Sequence, residues 1–178
     1  MFDPKDSNTI GYHLFFLPSG KLFDDLQNII DVLAEKYNGA RFEPHLTLLA
    51  RIPKADEKEL IAETKKLAGT MKPFEIELKT VHVEDAYFRA LYCKAEYSSE
   101  LKASHQKALD IFGFQDVNLY FPHLSLYYGN ISNVLKEEMI ASLSLPTPLN
   151  FVADKIYLYR TEGEAKDWVR IGEYVLGG

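Results

Sequence analysis

Two phrases in this sequence hold residues fit for acid–base chemistry. "FEPHLTLLA" spans 42–50 and "YFPHLSLYYG" spans 120–129, and both read Pro-His-Leu-(Thr or Ser)-Leu. Their histidines, His45 and His123, stand 78 residues apart, and each is followed two places on by a hydroxyl, Thr47 or Ser125. An imidazole with an ordinary pKa of about 6.5 has both protonation states within reach near neutrality. On a β-strand, residues two apart share a face and lie roughly 6.5–7 Å from each other. Read as strands, the phrases aim His45 with Thr47, and His123 with Ser125, one way. Leu46, Leu48, Leu124 and Leu126 then point the other way, into a core. Pro44 and Pro122 fall at the strand starts, where a missing N–H costs least.

A twofold relation between the strands would bring two imidazoles and two hydroxyls onto one groove. That set is enough to cleave a phosphodiester without a metal. A neutral histidine takes a proton from the attacking oxygen, and a protonated one gives a proton to the leaving oxygen. Thr47 and Ser125 can donate hydrogen bonds to the non-bridging oxygens, where charge sits in the transition state. One His-x-Thr on a strand says little. Two copies with matching flanks say more, because relaxed repeats would drift first at polar, inward-facing positions.

The competing chemistries fare worse. Zinc usually takes three or four protein ligands, and no third His, Cys or carboxylate accompanies either phrase, so neither metal nor cofactor is expected. His105 falls on an apolar helical stripe and reads as a core histidine; His82 and His13 receive no role. Nothing near Cys93, the single cysteine, marks a low-pKa thiol. With one cysteine no internal disulfide can form, which suggests a reducing, cytoplasmic compartment.

The elements that would position the phrases alternate between strand and helix. "GYHLFFL" (11–17) is an apolar strand ended by Pro18, after which Ser19 can cap a helix carrying Leu22, Leu26, Ile29, Ile30, Leu33 and Tyr37. Asn38-Gly39 ends it. The first phrase follows, then a helix from Lys54 to Met71, then "PFEIELKTVHV" (73–83), alternating as a strand wet on one face. The cycle restarts with "YFRALYCKAE" (87–96), a helix capped by Ser98 or Ser99, the second phrase, a helix near 133–143, and "FVADKIYLYR" (151–160). "DWVRIGEYVL" (167–176) closes the chain as an extra strand. A shift of 78 superposes Pro44 on Pro122 and His45 on His123, and also Phe74 on Val152. The expected fold is α+β (mixed α/β). Two β-α-β-α-β lobes, about 10–83 and 86–160, make one domain over 1–178, with antiparallel-rich sheets meeting at a central groove and helices outside.

At 178 residues and 47% hydrophobic content the chain can build one sizeable core. No apolar run approaches the roughly 18 residues of a membrane span, and "MFDPKDSNTI" has no secretory pattern. A net charge of −6 leaves no basic stripe of the kind long nucleic acid requires. A small phosphate ligand, or the end of a polymer, fits better.

These features together resemble the two-histidine (2H) phosphoesterase superfamily, and more closely its cyclic phosphodiesterase branch of plants and yeasts. The likeness spans nearly the whole chain: the "LP" after the first strand, "RFEPHLTL", "FPHLSLYYG" and a late Trp168 before the last strand. It implies metal-independent opening of ADP-ribose 1″,2″-cyclic phosphate, a tRNA-splicing by-product, or of nucleoside 2′,3′-cyclic phosphates; separately, the chain is expected to be a monomer. By motif match, His45, Thr47, His123 and Ser125 are the catalytic set, with the base on His123 and the acid on His45. Family aromatics near the substrate map onto Phe15, Phe88 and Tyr128. Strict alternation would put Tyr127, not Tyr128, on the His123 face, unless the strand ends or bulges before Gly129. Two other readings stay open. One is an RNA end-processing enzyme acting on 2′,3′-cyclic or 2′-5′ linked termini; the other is a non-catalytic module that holds a phosphorylated ligand.

Overall fold

The computed structural model describes residues 5–53, 56–114 and 120–177. In chain order the elements are β1 (Tyr12–Phe16), α1 (Gly20–Tyr37), β2 (Leu46–Ile52), α2 (Glu57–Gly69), β3 (Phe74–His82), β4 (Leu91–Ala95), α3 (Ser99–Phe112), β5 (His123–Tyr127), α4 (Asn133–Ser142), β6 (Asn150–Ala153), β7 (Lys155–Arg160) and β8 (Val169–Val175). The α+β class and the repeated β-α-β-α-β order are as the sequence led one to expect. Lys54, where the second helix was expected to start, lies outside the described residues.

Caps and turns set the boundaries. Ser98 accepts from Leu101 N at 3.2 Å and Asp56 from Lys58 N at 3.0 Å, fixing the starts of α3 and α2. Ser19 stands at the N-cap of α1 without a capping hydrogen bond. Asn38 takes the left-handed conformation (φ 54°), ending α1 where Asn38-Gly39 predicted. The expected strand 87–96 opens instead as a 3-10 turn, Tyr87–Arg89, before β4.

All strand pairs are antiparallel, in the order β6-β3-β4-β5-β2-β1-β7-β8. The two four-stranded halves therefore meet edge to edge at β2 and β5. Each half draws on both sequence copies, because β3 crosses to pair with β4 and β7 crosses to pair with β1. The expected strand 151–160 breaks at Asp154 into β6 and β7, which lie six strands apart in the sheet. Flat, that would be ~29 Å, at about 4.8 Å per strand, and one residue cannot span it. The sheet must curl, and the break at Asp154 lets one segment serve both halves.

One face of the sheet carries Leu14, Phe16, Leu46, Leu48, Leu91, Cys93, Leu124, Leu126, Ile156 and Leu158 into a continuous core with Leu26, Leu60, Leu67, Leu101, Ala108 and Met139 from the helices. Burying this much apolar side chain is the main favourable term in folding. The opposite face carries the two phrases' polar residues. No helix among the described residues is long and apolar enough to cross a membrane.

Candidate active site

The two phrases touch through one registered pair, Leu46 opposite Leu124. Antiparallel counting from that pair sets His45 across from Ser125, and Thr47 across from His123. Cross-strand partners lie on one face with Cβ atoms about 4.5–5.5 Å apart, so the four polar residues gather on one face. Leu46 and Leu124 are fully buried on the other. The pairing is crossed: each histidine has the other phrase's hydroxyl beside it.

Both imidazoles are tethered in the same way. His45 Nδ1 lies 2.6 Å from the Glu43 carbonyl, and His123 Nδ1 lies 2.8 Å from the Phe121 carbonyl. A carbonyl oxygen only accepts, so Nδ1 carries the proton in each, and the neutral ring keeps Nε2 as its acceptor. His45 is buried at 7% exposure and His123 is half-buried. Burial pushes His45 down to about 4, with His123 adding to the depression and the Glu43 carbonyl opposing it. Burial likewise lowers His123, helped by Arg89 and opposed by the Phe121 carbonyl and Glu84. Both therefore rest neutral near pH 7.

The hydroxyls differ. Ser125 Oγ donates to the Phe88 carbonyl at 2.8 Å. The Thr47 side chain has no hydrogen-bond partner among the described residues, and its backbone carbonyl accepts from Tyr120 Oη at 2.8 Å.

Tyr128 reaches the site because β5 bulges. Tyr92 pairs with Ser125, but its neighbour Leu91 pairs with Tyr127, so Leu126 is an extra residue on β5. The extra residue reverses the alternation. Tyr127 turns into the core, its hydroxyl donating to the Tyr37 carbonyl at 2.8 Å. Tyr128 lands on the histidine face, its hydroxyl 3.3 Å from His45 Nε2. Gly39 and Gly129 leave room for the Tyr127 ring, which a Cβ at either position would meet within 3 Å.

An aromatic wall surrounds His45. Phe15 stacks on its imidazole (centroids 4.0 Å, 28°) and is itself 2% exposed, so it is a floor for the histidine more than a free surface. Phe42 stacks on Tyr128 (3.6 Å, 15°), Phe88 meets Tyr128 edge-on at 5.0 Å, and Trp168 stands 6.0 Å from His45 and 6.1 Å from Phe88. A cavity of about 220 Å³ opens here, lined by Phe15, Arg41, Phe42, Glu43, His45, Tyr159, Ala165, Lys166 and Trp168. It lies on the His45 side and does not reach His123.

Each histidine is flanked by a carboxylate, an arginine and a tyrosine. Beside His45, the Glu43 carboxylate accepts from Tyr159 Oη and from Arg170 at 2.6 Å, while Arg170 Nε donates to Tyr159 Oη at 2.8 Å. Beside His123, Glu84 accepts from Arg89 Nε at 2.8 Å and from Tyr92 Oη at 3.0 Å. Tyr92 also stands edge-on to the His123 ring at 5.4 Å.

The sequence-predicted residues thus fall in one place: His45, Thr47, His123 and Ser125 on the ladder, Phe15 under His45, and Phe88 and Tyr128 in the wall. Phe42, Glu43, Arg89 and Tyr92 were not predicted. The first two were visible in "RFEPH"; the others come from a turn and from the partner strand. Among the described residues, no group of three or more His, Cys, Asp or Glu is placed to hold a metal. His105 is a core histidine as read, its Nδ1 2.8 Å from the Leu48 carbonyl and its ring stacked on Tyr120 at 3.8 Å. Burial pushes the Cys93 thiol up to about 12, which leaves it inert.

The family model described as the 2′-5′ RNA ligase superfamily matches residues 22–165. The chain belongs to that superfamily. These are the two-histidine phosphoesterases that the paired phrases resembled, and an enzyme acting on phosphodiesters is what membership entails. A "Cyclic phosphodiesterase" of Arabidopsis thaliana is 22% identical over 160 residues, covering 87% of either chain. Among solved structures, TT0787 of Thermus thermophilus aligns with TM-score 0.63 at 16% identity, over 94% of this chain and 98% of that one. Apo E. coli LigT aligns with TM-score 0.61 at 13% identity, over 97% and 100%. At such identities these two likenesses speak for the shared superfamily fold.

Proposed function

We propose that this superfamily member hydrolyses cyclic phosphodiesters of nucleotides, ADP-ribose 1″,2″-cyclic phosphate or nucleoside 2′,3′-cyclic phosphates, to monoesters by general acid–base catalysis between two histidines. The observation that carries this is the matched tether: both Nδ1–H groups are spent on a carbonyl two residues back, and both Nε2 atoms belong to imidazoles on one sheet face. The Arabidopsis relative's name supports the cyclic substrate.

The chemistry balances. One histidine removes a proton from water as its oxygen bonds to phosphorus. The ring P–O bond breaks, and the other histidine protonates the leaving alkoxide. Thr47, Ser125 and Tyr128 have the hydroxyls to hold the non-bridging oxygens. Nothing in this scheme calls on a metal: the Glu43 and Glu84 carboxylates beside the histidines are each paired with an arginine and a tyrosine, and the imidazoles and hydroxyls suit proton transfer better than divalent-ion binding. The family likeness implies base His123 and acid His45. Exposure favours the reverse, because the half-buried His123 can be reprotonated from solvent more readily than the buried His45. Each turnover leaves the base protonated and the acid neutral, so the protons must be exchanged with solvent before the next.

Incubation with ADP-ribose 1″,2″-cyclic phosphate and with each nucleoside 2′,3′-cyclic phosphate, in EDTA, with products resolved by phosphorus NMR, tests this. Ring opening to one monoester, lost in His45→Ala and His123→Ala, is the expected result. Binding without turnover would favour a phosphate-binding module, and turnover confined to cyclic-ended oligonucleotides an RNA end-processing role.

A further inference from the structure

The His123 side of the site holds two cations that the reaction above does not use. Lys94 is the cross-strand partner of His123, so it stands on the catalytic face of β4. It is exposed and makes no ion pair among the described residues. Its Nζ lies 5.7 Å from the centre of the Phe121 ring, and the Arg89 guanidinium carbon lies 5.7 Å from the same centre. Phe121 in turn lies 5.6 Å from the His123 ring and is half-buried. Glu84 pairs with Arg89 at 2.8 Å and offsets one of the two charges. A net positive charge remains beside His123, in a chain of net charge −6. The other side differs: Arg41 pairs with Glu35 at 3.5 Å and Lys166 with Glu164 at 2.6 Å.

We propose that Lys94 and Arg89, gathered on the Phe121 ring, form a subsite for a phosphate esterified at the 5′ carbon of the ribose that carries the cyclic phosphate. The proposal rests on the reading of the site as a cyclic phosphodiesterase. With the cyclic phosphate between the histidines, a ribose that extends past His123 brings its 5′ oxygen toward Phe121. Two kinds of substrate carry a phosphate there. ADP-ribose 1″,2″-cyclic phosphate has its pyrophosphate on that carbon, and an RNA chain ending in a 2′,3′-cyclic phosphate has its last linkage there. A nucleoside 2′,3′-cyclic phosphate has only a hydroxyl.

The test compares adenosine 2′,3′-cyclic phosphate with and without a 5′-phosphate. A charge-assisted contact to phosphate should raise kcat/KM at least about tenfold for the 5′-phosphorylated form. Lys94→Ala should bring the ratio toward one, and Lys94→Arg should keep most of it. Equal handling of the two by the native protein, or a ratio that survives Lys94→Ala, overturns the subsite. A binding arm keeps this separate from catalysis: calorimetric titration with adenosine 2′,5′-bisphosphate and with adenosine 2′-monophosphate. If neither cyclic compound is turned over, the phosphodiesterase reading fails. The bisphosphate's advantage, and its loss in Lys94→Ala, then still judge the subsite. Between the two sources, the higher kcat/KM of ADP-ribose 1″,2″-cyclic phosphate or of a short cyclic-ended RNA names the one the subsite serves.

Discussion

Leu46 lies directly opposite Leu124 across β2 and β5, and that single pair decides which hydroxyl stands beside which histidine. His45 faces Ser125, and His123 faces Thr47. The two neighbours within each phrase, His45 with Thr47 and His123 with Ser125, are farther apart than these cross-strand partners.

Removing either imidazole should lower kcat at least about a hundredfold, since general acid–base groups contribute typically 10²–10⁴-fold. His45→Ala and His123→Ala should remain folded by circular dichroism. Thr47→Ala and Ser125→Ala should cost less, on the order of tenfold to a few hundredfold. A histidine variant with near-full activity would remove that residue from the mechanism.

The assignment of acid and base can be tested with the leaving group. A nucleotide p-nitrophenyl phosphodiester loses a phenolate that needs no proton. If His123 is the acid, His123→Ala should recover activity on this substrate relative to the cyclic one, while His45→Ala should not. Recovery in His45→Ala instead would restore the roles implied by the family.

The pH dependence of kcat/KM follows from burial. This parameter reports the free enzyme, in which His45 sits at about 4 and His123 is also held below its ordinary 6.5. The proposed mechanism requires one imidazole charged and one neutral, so activity should fall when both are neutral, above the higher of the two values. The optimum of kcat/KM should lie below pH 6.5. An optimum at pH 7.5 with chemistry rate-limiting would contradict it.

Stability should follow the same protons. In the unfolded chain these histidines titrate near 6.5, whereas burial holds His45 at about 4 and His13 at about 3 when folded. Between those values the unfolded state binds more protons, so stability rises with pH. It is complete above 6.5 and is lost as pH falls toward the folded values. Urea midpoints should drop from pH 7 to pH 4.5, and His45→Gln should flatten part of that slope. For His45 alone the full window amounts to roughly 3 kcal/mol.

Tyr128→Phe should raise the pKa of His45. The hydroxyl 3.3 Å from Nε2 can donate to the neutral imidazole and so favours that form. The phenyl ring keeps its stack on Phe42, so folding should be unaffected. An NMR titration of His45 that shows no upward shift would mean that the contact carries no energy.

Much of this molecule is written locally. Period-two alternation in "PHLTL" and "PHLSL" separates His45, Thr47, His123 and Ser125 from their leucines, because a strand's faces are fixed by its pleat. The repeat gives the β-α-β-α-β order, and Asn38-Gly39 and Ser98 mark helix ends, because caps depend only on neighbouring residues. What the sequence could not contain are choices between distant segments. The exchange of β3 and β7 between halves is decided by which edges the curled sheet offers. The crossed pairing of hydroxyls with histidines is decided by the Leu46–Leu124 register. The bulge at Leu126 is a mismatch between β5 and β4; it overrules alternation, sends Tyr127 into the core and brings Tyr128 to His45. The depressed basicity of His45 likewise needs Phe15, Phe42 and Trp168 packed around it, residues from three separate parts of the chain. Residue types set what chemistry was possible, and long-range packing set which atoms meet.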